Sequence, residues 1–105
     1  MSSQKSRIAI SVGDLGGIGI QLIIENHDTI KQWVTPLYCI DMTMLQQACN
    51  LLNLSIPKDF QLADSVGEAF TIEPAVVSAQ SGAYSYASFV KAVKLVESEI
   101  GRAHV

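Results

Sequence analysis

The densest chemistry in the chain lies near its start, in Gly13-Asp-Leu-Gly-Gly-Ile-Gly19, where glycines at 13, 16, 17 and 19 surround the carboxylate of Asp14. Glycines permit turns that side chains forbid and let another group approach bare backbone. A loop of this kind that opens onto a helix gathers N–H groups and the positive end of the helix dipole, which suits a phosphate or carboxylate. Asp14 would repel a bare anion, so it is better suited to capping the helix, or to meeting a hydroxyl, an amine or a metal-bound water. A plain strand-to-helix turn explains the same glycines. The loop matches neither well-specified phosphate motif: no Gly-Lys-Ser/Thr follows, and Gly17 and Gly19 would need a third glycine where Leu22 stands.

Other reactive residues are scattered. His27 falls beside the polar side of the run after the loop, with no cysteine or second histidine at ligand spacing, and is expected to be a solvated surface residue. Asp41 ends an apolar run at about the distance from a glycine loop, roughly 20 residues, where dinucleotide folds place an acid on the ribose. With the glycine spacing absent, capping of the next helix by Asp41 or Thr43 is the favoured role. Cys39 and Cys49 sit in apolar surroundings and read as small buried hydrophobes, neither a disulfide nor a metal pair. Ser78-Ala-Gln-Ser-Gly82 can cap a helix and is a second, weaker anion-site candidate.

The elements that must position these residues follow from periodicity. Arg7-Ile-Ala-Ile-Ser-Val12 alternates and is β-branched, as a buried strand is. From Ile20 to Val34 the spacing predicts a helix burying Ile20, Ile23, Ile24, Ile30 and Trp33, with Gln21, Glu25 and Asp28 wet and Pro36 ending the helical stretch. Leu37 to Ile40 reads as a central parallel strand. Leu45, Ala48, Leu51 and Leu52 mark a second helix, with methionines 42 and 44 as packing and Asn53 as its stop. Phe60-Gln-Leu62 suggests a short edge strand, Asp64 to Glu68 a polar loop, and Ile72 to Val77 a segment strand-like at its end. A last helix places Tyr86, Phe89, Val90, Val93 and Val96 or Glu97 on its apolar face, with Lys91 and Lys94 outward. The order predicts an α/β fold with a mainly parallel sheet flanked by helices.

At 105 residues, 49% apolar and 16% charged, the chain is expected to form one globular domain. A formal charge of -3 without a basic run argues against nucleic acid and anionic membrane surfaces as partners. Neither a signal peptide nor a bilayer-length apolar run is visible, so the cytoplasm is the expected location.

Three segments, Arg7 to Gly19, Pro36-Leu-Tyr-Cys-Ile-Asp41 and Ser78-Ala-Gln-Ser-Gly-Ala-Tyr-Ser85, together resemble the amino-terminal part of 4-hydroxythreonine-4-phosphate dehydrogenases of pyridoxal phosphate biosynthesis. The likeness spans residues 7 to 97. Many members carry proline and a small residue where this chain has Leu15 and Gly16. The resemblance implies an isocitrate/isopropylmalate dehydrogenase-like fold, here incomplete, and a homodimer with its active site between subdomains. It implies NAD as hydride acceptor, a divalent metal held by histidines, and oxidation then decarboxylation of the phosphorylated amino acid 4-phosphooxy-threonine. The family's metal-binding and catalytic residues lie beyond the matched segment, so no catalytic, cofactor or metal role falls on this chain, and none on His27 or His104. Asp14, Gly16 and Gly17 are the residues expected near the substrate cleft. The alternative is a small module that binds a phosphorylated metabolite through the Gly13–Gly19 loop.

The ending, Glu99-Ile-Gly-Arg-Ala-His-Val105, departs from the family and spells what read-through of a common sequencing adapter encodes (GAG-ATC-GGA-AGA-GCA-CAC-GTC). Residues 1–98 are therefore expected to be dehydrogenase sequence and 99–105 a non-native tail. The portion alone is expected to be inactive and poorly soluble.

Overall fold

The computed structural model describes residues 6–13, 15, 18–63, 65–73, 78–96 and 101–104. In chain order they form β1 (Ser6–Ser11), α1 (Ile18–Trp33), β2 (Val34–Cys39), α2 (Met42–Leu52), α3 (Ala79–Val96) and β3 (Gly101–His104). The strands make a parallel sheet in the order β2-β1-β3, with Ile10 opposite Tyr38 on one side and Ala103 on the other. The chain is thus α/β with a parallel sheet. The backbone of 101–104, in the expected tail, lies in that sheet beside β1. β1 is the central strand, not β2. Its neighbours lie in opposite directions, so right-handed crossovers place α1 and α3 on opposite faces. Accordingly α1 packs on β2 and α2, whereas α3 packs on all three strands.

α1 buries Ile20, Ile23 and His27 along one stripe, with Ile24 and Ile30 partly covered. Two expectations change here. His27 is 2% exposed, because positions 20, 23 and 27 follow helical spacing and so share the buried side. Trp33, expected in that stripe, is 76% exposed: it is the last residue of α1 and joins Val34 of β2 directly, with no facing layer to cover it.

Pro36 lies inside β2, opposite Ile8, and the helix has already ended at Trp33. Tyr38 turns its N–H and C=O away from β1, to Gln61 and Ala63, both at 2.9 Å. Pro36 is two residues earlier and faces the same way, so its missing N–H removes nothing from the β1 ladder. The edge strand expected over 60–62 reduces to a single parallel bridge between Leu62 and Tyr38.

α2 buries Met44, Leu45, Ala48 and Cys49, while Met42 and Leu51 are exposed. Asn53 ends it in the left-handed conformation at φ 59°, and the Leu54 N–H donates to the Cys49 carbonyl at 2.8 Å. Gln47 of α2 then holds the irregular chain beyond: its Nε2 donates to the Phe70 carbonyl at 2.8 Å, and its Oε1 accepts from the Ile72 N–H. No strand forms at Ile72 and Glu73, and residues 74–77 lie outside the described residues.

α3 opens on a reciprocal cap, with the Ser81 N–H donating to Ser78 Oγ at 3.0 Å and the Ser78 N–H to Ser81 Oγ at 3.1 Å. The face it buries is not the expected one. Tyr84, Ser88 and Ala92 are buried, whereas Tyr86 is 70% exposed and Phe89 39%. Small residues at 88 and 92 let the helix backbone lie close to the sheet, which leaves the large side chains facing outward. No helix among the described residues is long and apolar enough to cross a membrane.

Candidate functional site

Open α/β sheets bind ligands beyond the carboxyl ends of their strands, and here the β1 end feeds the glycine loop. Ser88 fixes that end from α3. Its fully buried hydroxyl accepts from the Val12 N–H at 2.8 Å and donates to the Cys39 carbonyl at 2.7 Å. It therefore clamps β1 and β2 together one residue before Gly13. Within the loop, Leu15 is buried. Asp14, Gly16 and Gly17, the residues expected near a cleft, lie outside the described residues, as does Asp64 of the expected polar loop.

Asp41 stands at the end of β2, in the N-cap position of α2 and with the extended backbone of a cap. Its side chain makes no cap hydrogen bond. The carboxylate instead accepts from the N–H groups of Val66 and Gly67, at 3.0 and 3.1 Å, and from the Tyr84 hydroxyl at 2.6 Å, while its own N–H donates to that hydroxyl at 2.8 Å. The helix cap expected of it is therefore replaced by a tie between a loop and α3, because two backbone donors and a phenol outcompete a local bond. Partial burial pushes the Asp41 carboxyl upward, but the Tyr84 hydroxyl and the backbone N–H groups hold it below its ordinary value. Burial, and then the Asp41 carboxylate, push the Tyr84 phenol up. The carboxylate keeps its charge and the phenol its proton, so the pair acts as a fixed strut and not as an acid–base couple.

This strut backs a cleft of about 320 Å³ between residues 67–70 and the first half of α3, walled by Phe70, Gln80, Ala83 and Tyr84. A Cβ at Gly67 would come within 3.1 Å of the Tyr84 ring, so the bare glycine is what lets the loop lie against α3.

A second polar cluster joins β2 to α1. His27 Nδ1 is 2.8 Å from the Tyr38 hydroxyl and Nε2 is 2.9 Å from Asp59 Oδ1. Lys31 beside it, offset by burial but aided by His27, holds the Asp59 carboxyl down at about 2, so Asp59 is an acceptor and Nε2 carries the proton. Burial and then the Asp59 charge push the Tyr38 phenol up, so Tyr38 donates to Nδ1. The order resembles a proton relay, but its inner member, Tyr38, is fully buried with Phe60 stacked on it at 4.1 Å, and only the outer members, His27, Lys31 and Asp59, line an open groove of about 320 Å³. The cluster ties residues 59–60 to α1 and β2.

Both thiols are raised by burial, Cys39 to about 11 despite the nearby Lys91 ammonium, and both remain free thiols. Among the described residues no three His, Cys, Asp or Glu side chains come together as a metal site. Periodicity and spacing did not signal roles for Tyr84, Ser88 or Gln47, whose long-range partners lie 23 to 76 residues away.

No protein-family model matches the chain. Curated proteins do. The chain is 46% identical over 95 residues to a 4-hydroxythreonine-4-phosphate dehydrogenase of Sulfurimonas denitrificans, covering 90% of this chain and 31% of that protein. It is 38% identical over 99 residues to the protein of that name from Campylobacter fetus, covering 94% and 32%, and 38% identical over 107 aligned positions to that of Helicobacter pylori strain P12, covering 90% and 32%. Over nine-tenths of its length the chain is thus a sequence relative of these enzymes, and it spans about a third of theirs.

Proposed function

We propose that this chain is the amino-terminal portion of a 4-hydroxythreonine-4-phosphate dehydrogenase with an isocitrate/isopropylmalate dehydrogenase-like fold, a cytoplasmic homodimer that oxidises and decarboxylates 4-phosphooxy-threonine. The observation that carries the reading is the 46% identity maintained over 95 residues, 90% of the chain.

Within that enzyme the chain supplies a frame. β1 and β2, clamped by Ser88, present the glycine loop at the carboxyl end of the sheet, where the substrate cleft of the whole enzyme would open. Asp14 would take a hydrogen bond from a substrate hydroxyl or amine, and the bare backbone at Gly16 and Gly17 would allow close approach. NAD, when bound, accepts the hydride.

Among the described residues the donor chemistry does not fit a divalent metal. Both His27 nitrogens already have partners, and the cysteines are buried and protonated. Its ligands, like the catalytic residues, would come from the rest of the enzyme, and this chain alone would be inactive.

The test is Asp14→Asn in a longer protein containing residues 7–97, assayed by NADH formation from 4-phosphooxy-threonine. A raised KM is expected. Unchanged kcat and KM would reduce the loop to a turn, and absence of activity in the unaltered longer protein would remove the reading itself.

A further inference from the structure

A groove of about 300 Å³ runs between residues 65–66 and the outer side of α3, next to the cleft at Phe70, with which it shares Ala87. Its walls include Ser65, Tyr86, Val90, Lys91 and Lys94, and none of the described residues that line it is acidic. That is notable in a chain with 10 carboxylates and 7 Lys and Arg. Residues three apart on a helix are neighbours, with Cβ atoms about 5–6 Å apart, so the two ammonium groups can converge on one ligand. Neither forms an ion pair among the described residues, whereas Lys31 on α1 is paired twice. Ser65 and Tyr86 add hydroxyls, and Tyr86 is 70% exposed although its ring is large and flat. The position of Ser65 is fixed, since the next two N–H groups are held by Asp41.

We propose that this groove binds a phosphate monoester carrying a flat apolar group, with the phosphate between Lys91 and Lys94 and the apolar part against Tyr86 and Val90. Two cations suit a dianion better than a carboxylate, and the ring and valine would favour an ester over free phosphate. The inference is independent of the catalytic reading above, because it uses none of the residues assigned to the substrate cleft.

The test is a chemical-shift titration of this chain, carrying Trp33→Ser and diluted until sedimentation shows a monomer so that Tyr86 is free, with inorganic phosphate and with phenyl phosphate at constant ionic strength. Saturable shifts are expected at the amides of Ser65, Tyr86, Lys91 and Lys94, with phenyl phosphate binding the more tightly. Replacing both lysines by glutamine should weaken phenyl phosphate roughly tenfold, and Tyr86→Ala should remove its advantage over inorganic phosphate. Lys58→Gln should change neither. Tyr86 and Lys94 are exposed and Lys91 is half-buried, so an unchanged unfolding midpoint is required of each variant, and Lys94→Gln alone should weaken binding about threefold if the double variant unfolds. Absence of saturation, equal weakening by Lys58→Gln, or shifts confined to residues 13–19 would overturn the proposal.

Discussion

His27 Nε2 donates to Asp59 Oδ1 across 2.9 Å, joining the middle of α1 to an irregular segment 32 residues further on. Lys31 grips the other oxygen of the same carboxylate at 2.8 Å. This arrangement sets an acid limit on stability. Asp59 has its folded value lowered from 3.8 to about 2, so its contribution is complete above the unfolded value and is lost as pH falls through the folded one. Urea unfolding midpoints of the native chain should decline between about pH 4 and pH 2. Asp59→Asn should lower the midpoint at pH 6 and flatten that decline. Parallel pH profiles for the two proteins would contradict the assignment.

Tyr84→Phe removes the hydroxyl that both donates to the Asp41 carboxylate and accepts from its N–H. A loss of about 1.5–3 kcal/mol is expected, as for hydrogen bonds to charged groups. Amide exchange should also accelerate at Val66 and Gly67, which share the carboxylate. Equal exchange rates in both proteins would mean that the loop is held by something else.

Ser88→Ala leaves the Val12 N–H and the Cys39 carbonyl without their buried partner. The cost should be about 2–3 kcal/mol, more than for an exposed serine, because two desolvated backbone groups lose their bond. Calorimetry or urea titration measures it. A change below about 0.5 kcal/mol, typical of surface sites, would show that the clamp does not form.

The outward aromatics of α3 and the exposed Trp33 predispose the chain to self-association. Trp33→Ser with Tyr86→Ser should reduce the weight-average mass in sedimentation experiments while moving the unfolding midpoint little. A monomeric native chain would contradict this.

The parallel α/β order, α1 and the Asn53 stop were legible because strand alternation, helical spacing and a left-handed cap are local signals. So was the place of Asp41, though not its work: its partners lie 25 to 43 residues away. His27 stood at a buried spacing, but its polarity argued for the surface until Tyr38 and Asp59 supplied partners. On α3 the large apolar side chains pointed to one face, whereas close packing against the sheet selected Ser88 and Ala92 on another.

In the proposed function this chain frames a dehydrogenase whose reacting groups lie elsewhere. The most direct measurement compares NADH production from 4-phosphooxy-threonine by this chain alone and by a longer protein that contains residues 7–97. Turnover by the longer protein and none by the chain is the expected result. NADH formed by the chain alone, or none formed by the longer protein, would contradict the proposed function.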